Sequence, residues 1–445
     1  MSLWTMPAVV SAALAQLAAF LDRRTHDRFW SVFFGLLLCR ERRRTASAWF
    51  RAAGIGADFR RAYDLLGAVG RRAGLLGTVL LRAIDRIAGG PTGRVVFALD
   101  DTVTRRYGPC VEGAGVHRNP TPGPAAQAWV YGHVWVTLAR VARHACWGAI
   151  GLPVRAALYV RAKDIGTIPP AYRWPFRTKL ELAAELIGWL AVWAGAAGQA
   201  IWLAMDGAYA KRVVLRAAKA AGVIVVSRLR LDAALWSLPD ADRPPGKRGR
   251  KPVYGDRKIS LAKRAGAKGG WLTDEFDVYG RYEAITYKTF LATRPPAGGV
   301  IRVVLVKNND GWVAYFCTDP AATAADVLGL VSDRAAIEQV FHDIKEIWGA
   351  GQQQLRNVHA NVGAYHLNLW AYTLVEVWAW DRAEEELVDR SGSPWDAEWR
   401  RPSHADRRKA LLREVLRAEI QAAASGPDQA AQLKALAERL LLLAA

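Results

Sequence analysis

Between residues 94 and 229 the hydrophobic spacing switches repeatedly between strand-like and helical, and few folds accommodate the resulting order. "RVVFALDDT" is a short, β-branched apolar run of the kind that forms a buried strand. "WVYGHVWVTLARV" and "AALYVRAK" supply two more strands, with a Gly/Pro-rich loop, "NPTPGPAA", after the first. A long helical stretch follows, "RTKLELAAELIGWLAVWAGAAG". Then come the strand "AIWLAMDGAY", the helix "AKRVVLRAAKAAG" and the strand "VIVVSRL".

This β-β-β-α-β-α-β order is that of an RNase H-like α/β core. In such a sheet the first and fourth of these strands are central neighbours, and sites form at strand ends. The first ends in Asp100 and Asp101, the fourth in Asp206. The flanks read differently. Residues 1–90 are helical throughout, with a basic run from Arg40 to Arg44 and a Thr45/Ser47 helix start. There "RTASAWFRAAGI" has the pattern of a helix-turn-helix unit, or of a bundle with a solvated Arg face. Residues 91–227 and 323–381 form the two parts of the core. Residues 228–322 are a basic, β-rich inserted subdomain, in which "NNDG" marks a hairpin turn. Residues 382–445 are helical again, with Ser403 a candidate N-cap.

The helical pattern resumes near residue 323 and carries "DRAAIEQVFHDIK". At about 100° per residue, Arg334, Glu338 and Lys345 share one stripe, while Ile337, Phe341 and Ile344 make the neighbouring packing face. Arg334 and Glu338 could form nothing more than an i,i+4 surface pair, a matter of about 0.2–0.5 kcal/mol. Taken singly, Asp100 and Asp206 could each be turn or cap residues. Together with Glu338 they are the set that phosphodiester cleavage requires. Convergent carboxylates can hold two divalent cations about 3.5–4 Å apart, which stabilise the charged transition state and activate water. Mg²⁺ takes hard oxygen ligands, so Asp and Glu suffice.

At this level the chain resembles the DDE-type transposases of bacterial insertion sequences, in the group with a β-rich insertion before the catalytic Glu. The resemblance rests on "LDDT", "MDGAYAKR", "VVSRLR", "GRKPVYG", "YFCTD" and "DRAAIEQVFHDIKEIWGAGQQQLRN", and spans about residues 90 to 380. Of that group's Y-(2)-R-(3)-E-(6)-K motif, Arg334, Glu338 and Lys345 keep the spacing, and Val331 stands in the Tyr position. The family's first Asp precedes a small hydroxyl residue by two positions, which points to Asp100 with Thr102 and leaves Asp101 as the alternative. The resemblance implies that Asp100, Asp206 and Glu338 are catalytic and bind metal, Mg²⁺ or Mn²⁺, as two ions. It implies DNA nicking by water, then attack of the freed 3′-OH on target DNA. Terminal inverted repeats would be read by the helical N-terminus, and a homodimer would pair two ends. Trp236, Trp271 and Trp312 become candidates for holding a flipped base.

The charge supports a polyanionic partner. Lys and Arg number 61 against 41 Asp and Glu, a net charge of +20, and neutralised phosphates release counterions. Arg334, Lys345, Lys247, Arg248, Arg250 and Lys251 are the candidate DNA contacts. Cys39, Cys110, Cys146 and Cys317 lie far apart, with no zinc spacing, and read as reduced thiols. His117 and His133 lack a third ligand and read as structural. "GAGVHRNPTPG" has no P-loop Lys-Ser/Thr. The N-terminus lacks a basic n-region, and no apolar run reaches a membrane span, so a cytoplasmic location is expected. Two other functions fit the same residues: a decayed, DNA-binding derivative, and an endonuclease that cuts without strand transfer.

Overall fold

The computed structural model describes residues 5–88, 93–119, 128–239, 252–393, 395–425 and 428–444. The chain opens with four helices: α1 (Ala8–Ala18), α2 (Arg23–Leu38), α3 (Ala46–Ala52) and α4 (Phe59–Ala88). The Asp22 side chain caps α2 by accepting from Thr25 N, and Thr45 caps α3 by accepting from Ala48 N. The short α3 buries Ala46, Ala48, Trp49 and Phe50, and its Arg51 pairs with Glu41.

The sheet begins with β1 (Arg94–Arg105), β2 (Gly115–Arg118), β3 (Trp129–His144) and β4 (Gly148–Tyr159). It continues through α5 (Lys179–Ala197), β5 (Ala200–Met205), α6 (Arg212–Ala220) and β6 (Ile224–Leu229). Strand β1 runs antiparallel to β3 and parallel to β5, and β5 runs parallel to β6. The expected adjacency of the two Asp-bearing strands is therefore present. The four-residue β2 on β3 was not legible in the sequence, being too short to show a period. Along β5, Ile201, Leu203 and Met205 join one apolar core while Trp202 and Ala204 join a second, so this strand is buried on both faces.

The inserted residues form β7 (Leu235–Trp236), β8 (Lys258–Ile259), α7 (Leu261–Gly266), β9 (Leu272–Val278), β10 (Arg281–Arg294), β11 (Gly299–Asn308) and β12 (Gly311–Cys317). They do not stand apart as a separate layer. Strand β12 pairs with β6, and β11 and β10 follow, giving a single 12-stranded mixed sheet. The expected hairpin is the β11–β12 turn, closing at Asn308 and Gly311.

The remaining helices are α8 (Ala324–Asp333), α9 (Ala335–Glu346), α10 (Val358–Ala379), α11 (Glu384–Leu387), α12 (His404–Ser425) and α13 (Gln429–Ala444). Helix α10 is apolar almost all round and buried along its length, as expected of a central helix. It covers β4, whose pairing with β3 is irregular at Val154. Ala156 N donates to His366, while Trp370 Nε1 donates to Val154 O and Thr373 Oγ1 to Pro153 O. Ser403 does cap α12, accepting from Asp406 N, and the Asp406 side chain accepts from Ser403 N. No described helix is long and apolar enough to cross a membrane.

Helices α4 and α10 cross at backbone contact. A Cβ at Gly363 would lie 1.9 Å from Leu66 O, and one at Gly70 would lie 1.9 Å from His359 O. Substituting Gly363→Leu should therefore force the helices apart and cost about 1–3 kcal/mol or more, read as a lowered midpoint in chemical denaturation. Gly392→Ala, with nothing within 4 Å, should stay within about 0.5 kcal/mol of the parent.

Candidate active site

The pairing of β1 with β5 sets the geometry. Their last paired residues are Leu99 and Met205, so Asp100 and Asp206 lie side by side one step beyond. Successive strand residues face opposite ways, and this separates Asp100 from Asp101. Asp101 is held by Lys179 Nζ of α5 at 2.6 Å and by the Tyr209 hydroxyl at 2.5 Å. Asp100 turns to the other face, where Arg334 Nη1 donates to its Oδ2 at 2.7 Å. Of the two sequence candidates, Asp100 is the one that reaches the helix carrying Glu338. Asp206 Oδ1 accepts from Ala208 N at 2.7 Å and caps the short turn Gly207–Tyr209, so its capping role is also real.

The stretch read as one helix is two. Helix α8 ends at Asp333 and α9 starts at Ala335. Arg334 sits at the joint, where Asp333 is drawn aside to Arg143. Helix α9 buries Ile337, Val340, Phe341 and Ile344, so the expected apolar face does pack inward. On its open side Arg334 Nη2 donates to Glu338 Oε1 at 2.7 Å. One guanidinium therefore joins Asp100 of β1 to Glu338 of α9. Asp206, Arg228, Tyr279, Tyr315, Arg334 and Glu338 line a common cleft. Val331 lines it too, at the position where the motif has Tyr.

Burial pushes the Asp100 carboxyl up to about 6, against the pull of Arg334 and the Asp101 N–H, and the charges of Asp101 and Asp206 add to the rise. Lys345, further along α9, is half-buried and makes no salt bridge among the described residues; burial lowers its pKa. Lys247, Arg248, Arg250 and Lys251 lie outside the described residues. Trp236, Trp271 and Trp312 are all half-buried, and Lys288 Nζ sits 4.6 Å over the Trp271 ring. His133 is structural, buried between Arg106 Nε and Glu112 O.

Several site residues were missed in the sequence. Tyr279 adopts a left-handed backbone, φ 53, at the β9–β10 turn, and the adjacent Gly280 was the available signal. Tyr315 and Arg228 come from the paired strands β12 and β6. Only the unexpected continuity of the sheet brings them to the cleft.

Fold and site together define a mixed α/β protein with Asp100 within β1 where its pairing with β5 stops, Asp206 just past the end of β5, and Glu338 on a neighbouring helix. The sequence matches the model of the DDE superfamily endonucleases over residues 16–286. The chain belongs to that family. No curated protein matches the sequence.

The family generally uses divalent metal ions, and the hard oxygen donors here have the right chemistry for them. The arrangement does not fit. Among the described residues no three His, Cys, Asp or Glu side chains are placed to share one ion. Arg334 lies between Asp100 and Glu338, with both carboxylates bonded to it.

The raised pKa of Asp100 has a definite consequence for stability. An unfolded chain releases this proton near 3.8 and the folded one near 6, so folding loses stability as pH rises through that window. Asp100→Asn should stabilise the metal-free protein at pH 7.5 by on the order of 2 kcal/mol. The gain should vanish toward pH 4, in thermal unfolding with EDTA present.

Proposed function

We propose that this protein is a DNA transposase, cutting phosphodiester bonds at element ends and joining the freed 3′-OH to target DNA. The observation that carries the reading is the placement of Asp100, Asp206 and Glu338. Two neighbouring strands, at the point where their mutual pairing stops, and a facing helix supply the three carboxylates, in a chain that belongs to the DDE endonucleases. The β4-β3-β1-β5-β6 order, with β1 parallel to β5 and antiparallel to β3, supports an RNase H-like core. The excess charge of +20 supports DNA as the substrate, since it lowers the cost of gathering phosphates.

On this reading Asp100, Asp206 and Glu338 are the catalytic carboxylates. Two divalent ions, Mg²⁺ or Mn²⁺, would supply charge stabilisation to the reacting phosphate when bound. Arg334 and Lys345 contact the DNA backbone, as do the basic residues Lys247, Arg248, Arg250 and Lys251. Residues 1–90 recognise the terminal inverted repeats, and a homodimer pairs two ends in the cytoplasm. On this reading water attacks first and the freed 3′-OH second, with no covalent enzyme intermediate.

The test is an assay on short duplexes carrying the inverted repeats that flank the gene. With Mg²⁺ the protein should nick the ends and join them to a second duplex. Glu338→Gln should lower both steps by about a hundredfold or more, and EDTA should abolish them. Cutting without joining identifies an endonuclease alone, and binding without cutting a decayed derivative. Either result overturns the transposase reading.

A further inference from the structure

The mismatch between the donor set and its arrangement centres on Arg334. Its two terminal nitrogens each hold a carboxylate at 2.7 Å, Asp100 on one side and Glu338 on the other. A surface i,i+4 pair would explain the contact with Glu338. It does not explain the contact with Asp100, which lies 234 residues away in sequence and on a different element. The Arg334 and Asp100 side chains are only 23% and 20% exposed, so the bridge is shielded on the Asp100 side. Glu338, at 58%, is its open end.

We propose that Arg334 is a latch: its guanidinium occupies the cation position between Asp100 and Glu338 in the DNA-free protein, and bound DNA draws it away. The inference rests on the reading of those residues as the metal-binding carboxylates. The physical basis is competition for one cation. A guanidinium presents its N–H groups as a planar fork that suits a phosphate as well as a carboxylate. Arg334 lines the cleft in which DNA would lie, together with Arg228, Tyr279 and Tyr315. A phosphodiester arriving there offers the fork a new partner. Asp100 and Glu338 are then left without their positive charge, beside Asp206, and a divalent cation replaces the lost compensation. Before DNA binds, the latch keeps the carboxylates neutralised and resists metal. Arg334 is thus a positioning residue that makes metal binding conditional on substrate. Linkage makes the effect reciprocal, so metal must favour DNA binding by the factor by which DNA favours metal.

The test measures Mn²⁺ binding directly, by calorimetry and by loss of the free-ion paramagnetic resonance signal, in the full chain. The parent should bind Mn²⁺ roughly tenfold or more tightly with a flanking-end duplex than without it. Arg334→Gln and Arg334→Ala, checked for unchanged far-ultraviolet dichroism and melting, should bind it tightly without DNA. Adding Asp100→Asn to either should remove the gain. If the Arg334 variants bind Mn²⁺ no better than the parent without DNA, the latch is overturned. If the parent binds equally well with and without DNA, and Asp100→Asn abolishes binding, the latch fails while the assigned carboxylates stand. If neither Asp100→Asn nor Glu338→Gln weakens Mn²⁺ binding in any state, the carboxylate reading itself fails.

Discussion

The burial of helix α10 along nearly its whole length is the constraint from which the rest of the architecture follows. A 22-residue helix that is apolar almost all round needs partners on every side. One side lies on β4, where side chains of α10 satisfy backbone groups that the strand leaves unpaired. Another takes α4 at backbone distance, through Gly70 and Gly363. A third carries Glu376, which would be costly inside a protein if left alone. It accepts from His404 Nδ1 at 2.6 Å and from Arg407 Nη1 at 2.5 Å. Trp348 Nε1 donates to His404 Nε2, and an indole N–H can only donate, so the His404 proton must sit on Nδ1. Those partners hold Glu376 ionised, with a pKa below the ordinary carboxyl value despite its burial.

This network reaches the cleft of Asp206, Arg334 and Glu338 through its ends. Trp348 follows α9 directly, and Arg408 of α12 donates to Ile347 O as well as to Leu37 O and Cys39 O. The tail of the Glu338 helix is thereby fixed to both the N-terminal and C-terminal helices. Its head is fixed by the sheet, through Asp333 with Arg143 of β3 and Arg334 with Asp100 of β1. Glu338 therefore rides on a helix clamped at both ends, while its own side chain stays open to solvent. A carboxylate that must meet a substrate needs such an arrangement: fixed backbone and free head group.

The sequence carried the core because its signals there are local. Strands of β-branched residues ending in "LDDT" and "MDGAY" needed no distant information to be read, and the pairing of β1 with β5 followed from element order. The choice between Asp100 and Asp101 was not local. It turned on which face met Lys179 and Tyr209, and those belong to α5 and to the turn after β5. The break at Arg334 was hidden for the same reason. Its helical stripe is intact in sequence, and only Arg143 pulling on Asp333 and Asp100 meeting Arg334 show the joint. The continuity of β12 with β6 was also invisible, since strand pairing across an insertion leaves no periodic trace.

Electrostatics gives Arg334 a reason to be Arg rather than Lys. A chain of net charge +20 draws polyanions from a distance, yet its cleft is lined by carboxylates that repel a phosphate at contact. A cation is needed there to offset them, and Arg334 supplies it. An ammonium would satisfy one carboxylate as a compact, strongly hydrated charge, whereas the planar fork reaches two at once and exchanges either for a phosphate. Burial already makes the ionised form of Asp100 expensive. Without Arg334 that cost would rise, and Asp100 would hold its proton to higher pH. The guanidinium therefore favours the ionised form of Asp100 that the proposed chemistry requires, and under the proposed latch the same contact is what a divalent cation would have to displace.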